Sequence, residues 1–181
     1  IDKNIVLLIL LILLALMLSV EFLKYKSDFI YNLYIRYFKD MLREHEYDRG
    51  KFRINGASWV LFSCILCILF FPKLIAIMGM LMLSLADSTA GLLGRLYGKK
   101  QYAPNRSYIG TITFFIVGLA VIALTPKYTY SFKEYMIGFA SVVITTFAEA
   151  FYLHIDDNLT IPLVGSLSLY VLYLIFMTGF F

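Results

Sequence analysis

Charge is scarce in this 181-residue chain: charged residues make up 15 % of the sequence, hydrophobic residues make up 61 %, and the mean hydropathy is +0.80. A composition this apolar excludes an ordinary soluble domain. Several apolar runs approach the roughly 20 residues that an α-helix needs to cross a bilayer. The net charge of +4 gives no reason to expect nucleic-acid binding, because the basic residues lie beside these runs. We therefore expect an integral membrane protein that lies in the bilayer and does not bind nucleic acid.

Cysteine and histidine are scarce as well, with two of each. Cys64 and Cys67 form C-x-x-C inside an apolar segment, and the further ligands that a zinc or redox site needs are missing around them. His45 and His154 are too far apart to suggest a metal cluster, and no Ser-His-Asp arrangement includes them. The Walker A pattern is also missing. The remaining candidates for chemistry are the acidic and basic residues.

Six apolar segments predict an all-α fold, a polytopic integral membrane helix bundle with about six transmembrane helices. No linker or repeat divides the sequence, so 1–181 is predicted to be a single transmembrane domain. The predicted spans are Ile5–Val20, Ala57–Phe71, Leu74–Leu96, Ile109–Leu124, Tyr135–Tyr152 and Ile161–Phe180.

The segment 21–55, between the first two spans, is amphipathic and charged. From 21 to 47, apolar and aromatic residues recur at helical spacing with Lys and Arg between them. This pattern predicts an amphipathic interfacial helix that lies along the membrane surface or continues from the first span. It ends in a dense charged patch, 43–50, which includes Arg43 and Glu46. The patch is either a solvated surface run or part of a site.

The basic residues are distributed unevenly between the two sides of the predicted bundle. Eight lie in 21–55 and four in 95–108, whereas the other side carries only four, at positions 3, 73, 127 and 133. The positive-inside rule places the first set in the cytoplasm and both termini of the chain outside. The unusual acids fall on the cytoplasmic side too, although the rule did not count them. We therefore expect one site that faces the cytoplasm.

The stretch 74–111 contains the third span and a basic loop, and it carries the most informative pattern. Asp87 stands inside an apolar run, and a carboxylate at membrane depth is expensive. If the helix continues, Asp87, Gly91, Gly94 and Gly98 share one face, because they are spaced by three or four residues. Four basic residues and no acid follow between 95 and 106. A carboxylate, a stripe of open backbone and a basic rim together suit a metal-bound polyphosphate.

Two simpler explanations compete with this site. Small residues at such spacing are common wherever membrane helices pack closely, without any ligand. Lys and Arg just beyond a helix end often only mark the cytoplasmic interface.

Acids in and near the last two spans extend the candidate site. Together with Asp87, Asp156 and Asp157 can hold Mg²⁺ through one or two carboxylates, with phosphate oxygens completing its coordination. Glu149 lies near the end of the fifth span. Phosphoryl transfer depends mainly on positioning and charge neutralisation, which acids, lysines and arginines of this kind supply.

The candidate residues fall in three separated blocks. They are Asp87-x-x-Ala90-x-x-x-Gly94-Arg95-x-x-Gly98-Lys99, then Asn105-Arg106-Ser107-x-x-Gly110-Thr111, then Glu149 with Asp156-Asp157-Asn158-Leu159-Thr160-x-Pro162. In this order they closely resemble the polyprenol kinase family, which includes dolichol kinase, phytol kinase and CTP-dependent diacylglycerol kinase and is related to CDP-diacylglycerol synthases. Leu42-Arg43-Glu44-x-Glu46 followed by Ile54-Asn55-Gly56-Ala57 resembles an earlier block of the same family.

The resemblance implies an enzyme that transfers a phosphoryl group from a nucleoside triphosphate, often CTP, to the hydroxyl of a membrane lipid. The expected acceptor is an isoprenoid alcohol or diacylglycerol, and the expected cofactor is Mg²⁺. Predicted catalytic residues are Asp87, Glu149 and Asp157, and predicted metal ligands are Asp87, Asp156 and Asp157. Predicted nucleotide-binding residues are Arg43, Glu46, Gly91, Gly94, Arg95, Gly98, Lys99, Asn105, Arg106, Ser107 and Asn158.

Two other functions stay open. A CDP-lipid synthase, similar to a phosphatidate cytidylyltransferase, would direct attack to the α-phosphate instead of the γ-phosphate and release pyrophosphate. A small transporter or membrane scaffold would explain the buried charges as an ion pathway.

The topology gives a first prediction. In a variant without native cysteines, Lys99→Cys and Asp157→Cys should resist an impermeant thiol reagent in sealed cells and react after lysis, because both positions are predicted to face the cytoplasm. Lys73→Cys, on the opposite side, is the control and should react in sealed cells. Labelling of Lys99→Cys and Asp157→Cys from outside would overturn the orientation.

Overall fold

The computed structural model describes residues 2–38, 54–104, 106–151 and 155–177. Within these ranges the chain is helical apart from one short antiparallel strand pair, so the predicted helical class is confirmed. The helices are α1 (Lys3–Lys26), α2 (Asp28–Phe38), α3 (Gly56–Phe70), α4 (Lys73–Leu81), α5 (Ser88–Tyr97), α6 (Tyr108–Leu124), α7 (Phe132–Ala150) and α8 (Asp157–Phe176), and the strands are β1 (Gln101–Ala103) and β2 (Arg106–Ser107).

Each of the six predicted spans contains a helix, but the helices differ in length and polarity. Three are long and apolar enough to cross a membrane: Lys3–Lys26, Lys73–Tyr97 and Asp157–Phe176. The helices Gly56–Phe70 and Tyr108–Leu124 are apolar but shorter. Among the described residues, α7 belongs to neither group. The membrane class is therefore supported, whereas the count of six spans stays a prediction.

The helix from Lys73 to Tyr97 contains a π-helical turn, Met82–Asp87, between α4 and α5. The sequence suggested an uninterrupted α-helix here. A π turn takes more residues per turn than an α turn, and such turns occur often at functional sites. It therefore shifts the faces of α5 relative to α4. Asp87, the last residue of the turn, is half-buried.

The described residues divide into two compact units, Ile1–Ile65 and Leu66–Phe181. In the first unit, Glu21 is buried within α1, although most of that helix is exposed. Its Oε1 accepts hydrogen bonds from the backbone N–H of Asn55 at 3.0 Å and from Ser58 Oγ at 2.9 Å. Asn55 Oδ1 in turn accepts from the backbone N–H of Ser58 at 2.8 Å. One carboxylate thus ties α1 to the beginning of α3, a contact that the sequence did not predict.

The predicted amphipathic helix is present in part. α1 continues as far as Lys26, beyond the predicted end of the first span, and α2 covers Asp28–Phe38 as a separate amphipathic helix. Lys24 Nζ lies 3.8 Å from the ring centroid of Tyr34, which connects the two helices. Residues 39–53, with the candidate site residues Arg43 and Glu46, lie outside the described residues.

In the second unit, small residues let the helices approach closely, as in many membrane proteins. A Cβ on Gly79 of α4 would lie 2.7 Å from the carbonyl oxygen of Pro162 in α8, so only glycine fits there. α6 and α7 approach in the same way, because a Cβ on Gly118 would lie 3.0 Å from Val142 Cγ1. These contacts form a core of α4 to α8.

One end of this second unit is closed by a buried carboxylate at the beginning of α7. Glu134 accepts hydrogen bonds from the backbone N–H groups of Tyr128, Thr129 and Tyr130 at 2.7 to 2.9 Å. It also accepts one from the hydroxyl of Tyr173, near the end of α8, at 2.6 Å. The turn between α6 and α7 is thereby fastened to α8. The strand pair and the ends of α5, α7 and α8 that carry the candidate site lie at the opposite end of the unit.

We expect Glu134→Gln to destabilise the protein by about 1–3 kcal/mol, because an amide NH₂ group cannot accept hydrogen bonds from the buried donors. For a chain of this size, the melting temperature in detergent should fall by roughly 3–10 °C. Lys133→Gln is the control, since the neighbouring Lys133 is exposed. Equal melting temperatures for the two variants would contradict the fastening role of Glu134.

Candidate active site

A short hairpin brings Arg106 back toward the bundle. β1 and β2 are antiparallel, with Gln101 opposite Ser107 and Ala103 opposite Arg106. The sequence predicts a basic loop here, without strands. Ser107 ends the hairpin and caps α6, because its Oγ accepts from the backbone N–H of Gly110 at 3.1 Å. The cap fixes where α6 begins and holds Arg106 one residue before it.

The hairpin covers part of the glycine face of α5. A Cβ on Gly98 would lie 2.6 Å from Ser107 Cβ, and a Cβ on Gly94 would lie 3.0 Å from Ser107 Oγ. Gly94 also packs against Gly110 of α6. Gly91 is exposed, and its carbonyl oxygen accepts from Arg95 Nε at 3.2 Å. Close packing therefore explains Gly94 and Gly98, and the stripe of open backbone expected from the sequence is covered at these two positions.

Arg106 lies between two carboxylates from two different helices. Its Nη1 is paired with Glu149 Oε1 near the end of α7, and its Nη2 is 2.6 Å from Asp157 Oδ1 at the beginning of α8. The side chains of Arg106 and Glu149 are 11 % and 6 % exposed, whereas that of Asp157 is 36 % exposed. The cluster is thus buried on the Glu149 side and open to solvent at Asp157.

The charge state of this cluster follows from its geometry. Burial by itself lowers the pKa of Arg106, but the adjacent carboxylates of Asp157 and Glu149 outweigh it and raise the pKa above the usual value. Arg106 therefore stays protonated. One cation between two carboxylates leaves one negative charge in excess when both acids are ionised.

Two hydroxyl groups extend the cluster. Thr111 Oγ1 donates to Glu149 Oε2 at 3.3 Å, and the hydroxyl of Tyr102 is 2.7 Å from Thr111 Oγ1. Thr111 stands in the second motif block without a predicted role, and Tyr102 was not among the predicted site residues. Thr111 lies one helical turn after the Ser107 cap, which orients it toward the cluster. No local pattern marks Tyr102, because its partner depends on how the hairpin folds onto α6.

Helix geometry places Asp87 at nearly the depth of Glu149. Met82, Thr145 and Gly165 share one layer of the bundle, since a Cβ on Gly165 would lie 3.1 Å from Met82 Sδ and 3.5 Å from Thr145 Oγ1. Glu149 follows Thr145 by four residues in α7, so it lies about 6 Å from this layer toward the hairpin at 1.5 Å per residue. Asp87 lies a similar distance along its own helix. The two acids therefore reach the same level of the bundle, and a shared role stays a prediction.

The neighbours of Asp157 have different roles. Asp156 caps α8, because its Oδ1 accepts from the backbone N–H of Asn158 at 3.0 Å. Asn158 is half-buried in the first turn of α8.

Two predicted nucleotide-binding residues belong to the segment between α5 and α6. Lys99 lies exposed just beyond α5. Asn105 lies outside the described residues.

The part of the chain that the structure describes contains no group of three or more Asp, Glu, His or Cys residues that could hold a metal ion. The predicted metal ligands Asp87, Asp156 and Asp157 are therefore not gathered into one such group within it, and the expectation that one or two of them hold Mg²⁺ together with phosphate oxygens stays a prediction. Asp157, the more exposed carboxylate beside Arg106, nevertheless suits Mg²⁺. Mg²⁺ is commonly held by one or two carboxylates together with the phosphates of a substrate.

Comparison with known proteins finds several relatives of similar sequence. The chain is 30 % identical over 157 residues to CTP-dependent diacylglycerol kinase 1 of Schizosaccharomyces pombe, which covers 77 % of this chain and 68 % of that protein. It is 29 % identical over 163 residues to an uncharacterized protein of Rickettsia prowazekii, covering 89 % of this chain and 79 % of that protein. It is 32 % identical over 96 residues to the probable chloroplastic phytol kinase 2 of Oryza sativa subsp. japonica, covering 45 % of this chain and 32 % of that protein. No family profile and no solved structure matches the chain.

The names of these relatives agree with the family that the three sequence blocks resemble. The match to the fungal kinase extends over most of both proteins, so it does not depend on one short motif. The resemblance drawn from the sequence is confirmed. The chain belongs to the polyprenol kinase family, whose matched members are named CTP-dependent diacylglycerol kinase and phytol kinase.

Proposed function

We propose that this protein is a membrane lipid kinase that transfers the γ-phosphoryl group of CTP to the hydroxyl of a lipid alcohol, either an isoprenoid alcohol or diacylglycerol. The observation that carries this proposal is Arg106, held between Glu149 and Asp157 at the end of the bundle where Lys99 is exposed. The names of the relatives support CTP and a lipid as the substrates.

Arg106 is placed to bind phosphate oxygens. A guanidinium group binds phosphate through two parallel hydrogen bonds, in the same geometry that it uses for carboxylates. In the proposed complex, Arg106 exchanges a carboxylate oxygen for a phosphate oxygen, and Asp157 is the partner more easily released because it is the more exposed. Lys99 adds a second positive charge from the end of α5.

The released Asp157 carboxylate is suited to hold Mg²⁺ together with phosphate oxygens of the nucleotide. Asp157 is the residue that would bind it, and Asp87 stays a predicted second ligand. When bound, Mg²⁺ would neutralise charge on the phosphate oxygens.

The reaction needs a group that receives the proton of the lipid hydroxyl. In the transfer, the hydroxyl oxygen forms a bond to the γ-phosphorus, the bond from the γ-phosphorus to the bridging oxygen breaks, and CDP leaves with the electron pair. We assign the proton to Glu149, because its Oε2 already accepts a hydrogen bond from the hydroxyl of Thr111. A lipid hydroxyl beside Thr111 would meet the same oxygen.

The direct test is an assay of purified protein with γ-labelled CTP, Mg²⁺ and a panel of diacylglycerol, phytol and longer polyprenols. We expect a labelled lipid and CDP, and loss of both products when EDTA removes Mg²⁺. Pyrophosphate together with a CDP-lipid would instead identify a cytidylyltransferase. Absence of nucleotide turnover with every lipid would contradict the kinase and favour a transporter or scaffold.

The adjacent acids Asp156 and Asp157 provide a matched pair for a further prediction. Asp157→Asn removes the charge that Arg106 contacts, so we expect kcat/KM for CTP to fall at least about 100-fold, roughly 2.7 kcal/mol. Asp156→Asn should change it less than about threefold, because Asn caps a helix as well as Asp does. Melting temperatures would verify that both variants fold. The reverse order of effects would return the metal role to Asp156.

A further inference from the structure

An apolar groove of about 300 Å³ lies between α6 and α7, beside the Arg106 cluster. No role has been assigned to it so far. Phe115 lies one turn beyond Thr111 on α6, and the wall on α7 consists of residues spaced by three and four, which share one helix face. The groove is lined by Thr111, Phe115, Val143, Thr146, Phe147 and Ala150.

The groove offers a hydrocarbon surface despite its two threonines. Thr146 Oγ1 donates to the carbonyl oxygen of Val142 at 2.7 Å, so its hydroxyl is satisfied within α7. Thr111 Oγ1 is engaged with Glu149 and with the hydroxyl of Tyr102. Both side chains can therefore turn their methyl groups toward the groove. An apolar occupant is favoured, because a polar one would lose its hydrogen bonds to water without gaining new ones.

The two ends of the groove differ. At one end, Thr111 connects it to Glu149, the acid to which we assigned the proton of the lipid hydroxyl. Beyond the other end, α6 and α7 come together where a Cβ on Gly118 would lie 3.0 Å from Val142 Cγ1. A chain that enters beside Thr111 must therefore leave the groove sideways after about two helical turns, a distance on the order of 10 Å.

The side of the groove is formed by exposed apolar residues. Phe147, which lines it, is 60 % exposed, and Ile116 and Ile144, which follow Phe115 and Val143 in sequence, are 59 % and 43 % exposed. Such a surface belongs in contact with lipid chains in a membrane protein. A hydrocarbon chain that leaves the groove sideways would thus pass directly into the bilayer.

We propose that this groove binds the hydrocarbon segment next to the hydroxyl of the lipid acceptor. The inference rests on the proposed kinase function, and it specifies which part of the acceptor the protein recognises. Because the groove is short and open at its side, it contacts only the first carbons after the hydroxyl. The acceptor is therefore selected by the shape of its chain near the hydroxyl and not by its total length.

A second apolar groove gives an internal control. It has a volume of about 280 Å³ and runs along the other half of α6, past Val117 to Leu124 and Pro126. It resembles the first groove in size and polarity but lies toward the turn between α6 and α7, away from Arg106. A lipid probe that merely partitions into apolar surface should occupy both grooves, whereas an acceptor held for reaction should occupy only the first.

The test uses a long-chain alcohol with a photoreactive diazirine close to its hydroxyl, added to the purified full chain with and without CTP. We expect cross-links at the first groove, mapped by mass spectrometry to 111–115 and 143–150. Val143→Phe, which fills this groove, should reduce the labelling at least about fivefold and raise KM for the lipid about tenfold, while KM for CTP stays unchanged. Val117→Phe in the second groove should change neither value. Alcohols that differ only in distal chain length should have similar KM values.

The outcomes separate the groove from the kinase function. Labelling confined to the first groove without any lipid phosphorylation would support the groove and contradict the kinase. Phosphorylation with cross-links that map elsewhere or equally to both grooves would overturn the groove and leave the kinase standing. If Val143→Phe does not fold, Val143→Ala serves instead: it enlarges the groove and should lower KM for alcohols branched near the hydroxyl, and unchanged KM values for them would contradict the proposal.

Discussion

The site depends on one guanidinium group that is placed between two carboxylates. Arg106 is largely removed from water, and a buried charge is tolerated only when it is paired and hydrogen-bonded. Glu149 and Asp157 meet that requirement together, and in doing so they tie the hairpin to the end of α7 and to the beginning of α8. Removing either acid would leave part of the guanidinium group without its hydrogen-bond acceptor. The same contact therefore shapes this end of the bundle and contains the candidate site residues.

The two ends of the bundle use carboxylates in different ways. Glu134 is surrounded by backbone N–H groups and a tyrosine hydroxyl, so its oxygens are saturated and it serves structure. Glu149 accepts a hydrogen bond from the hydroxyl of Thr111 and shares Arg106 with Asp157. The side chain of Asp157 is more than a third exposed. A ligand can replace partners in the second arrangement but not in the first. Saturation, more than burial, distinguishes the structural acid from the candidate catalytic one.

Much of the site could be predicted from the sequence, but its pairings could not. The motif blocks named Arg106, Glu149 and Asp157, and the structure brings these three side chains into contact at one end of the unit, while their roles in a site stay a prediction. Asp156, which was predicted to be a metal ligand, caps α8 through its Oδ1, and its role toward a metal stays a prediction. Adjacent acids at the start of a helix look equivalent in sequence. Which of them caps the helix and which reaches a neighbouring element depends on where the preceding helix ends.

The sequence by itself determined the positions of the apolar helices and the family, because both are written in local runs and motif spacing. Only the tertiary structure decided the hairpin that covers Gly94 and Gly98, the π turn before Ser88, and the burial of Glu21 against Ser58. Each of these depends on contacts between residues far apart in the chain, or on a helix register that packing imposes. Local composition carries no signal for such contacts, since the same residues would suit an exposed loop, a regular helix or a membrane surface.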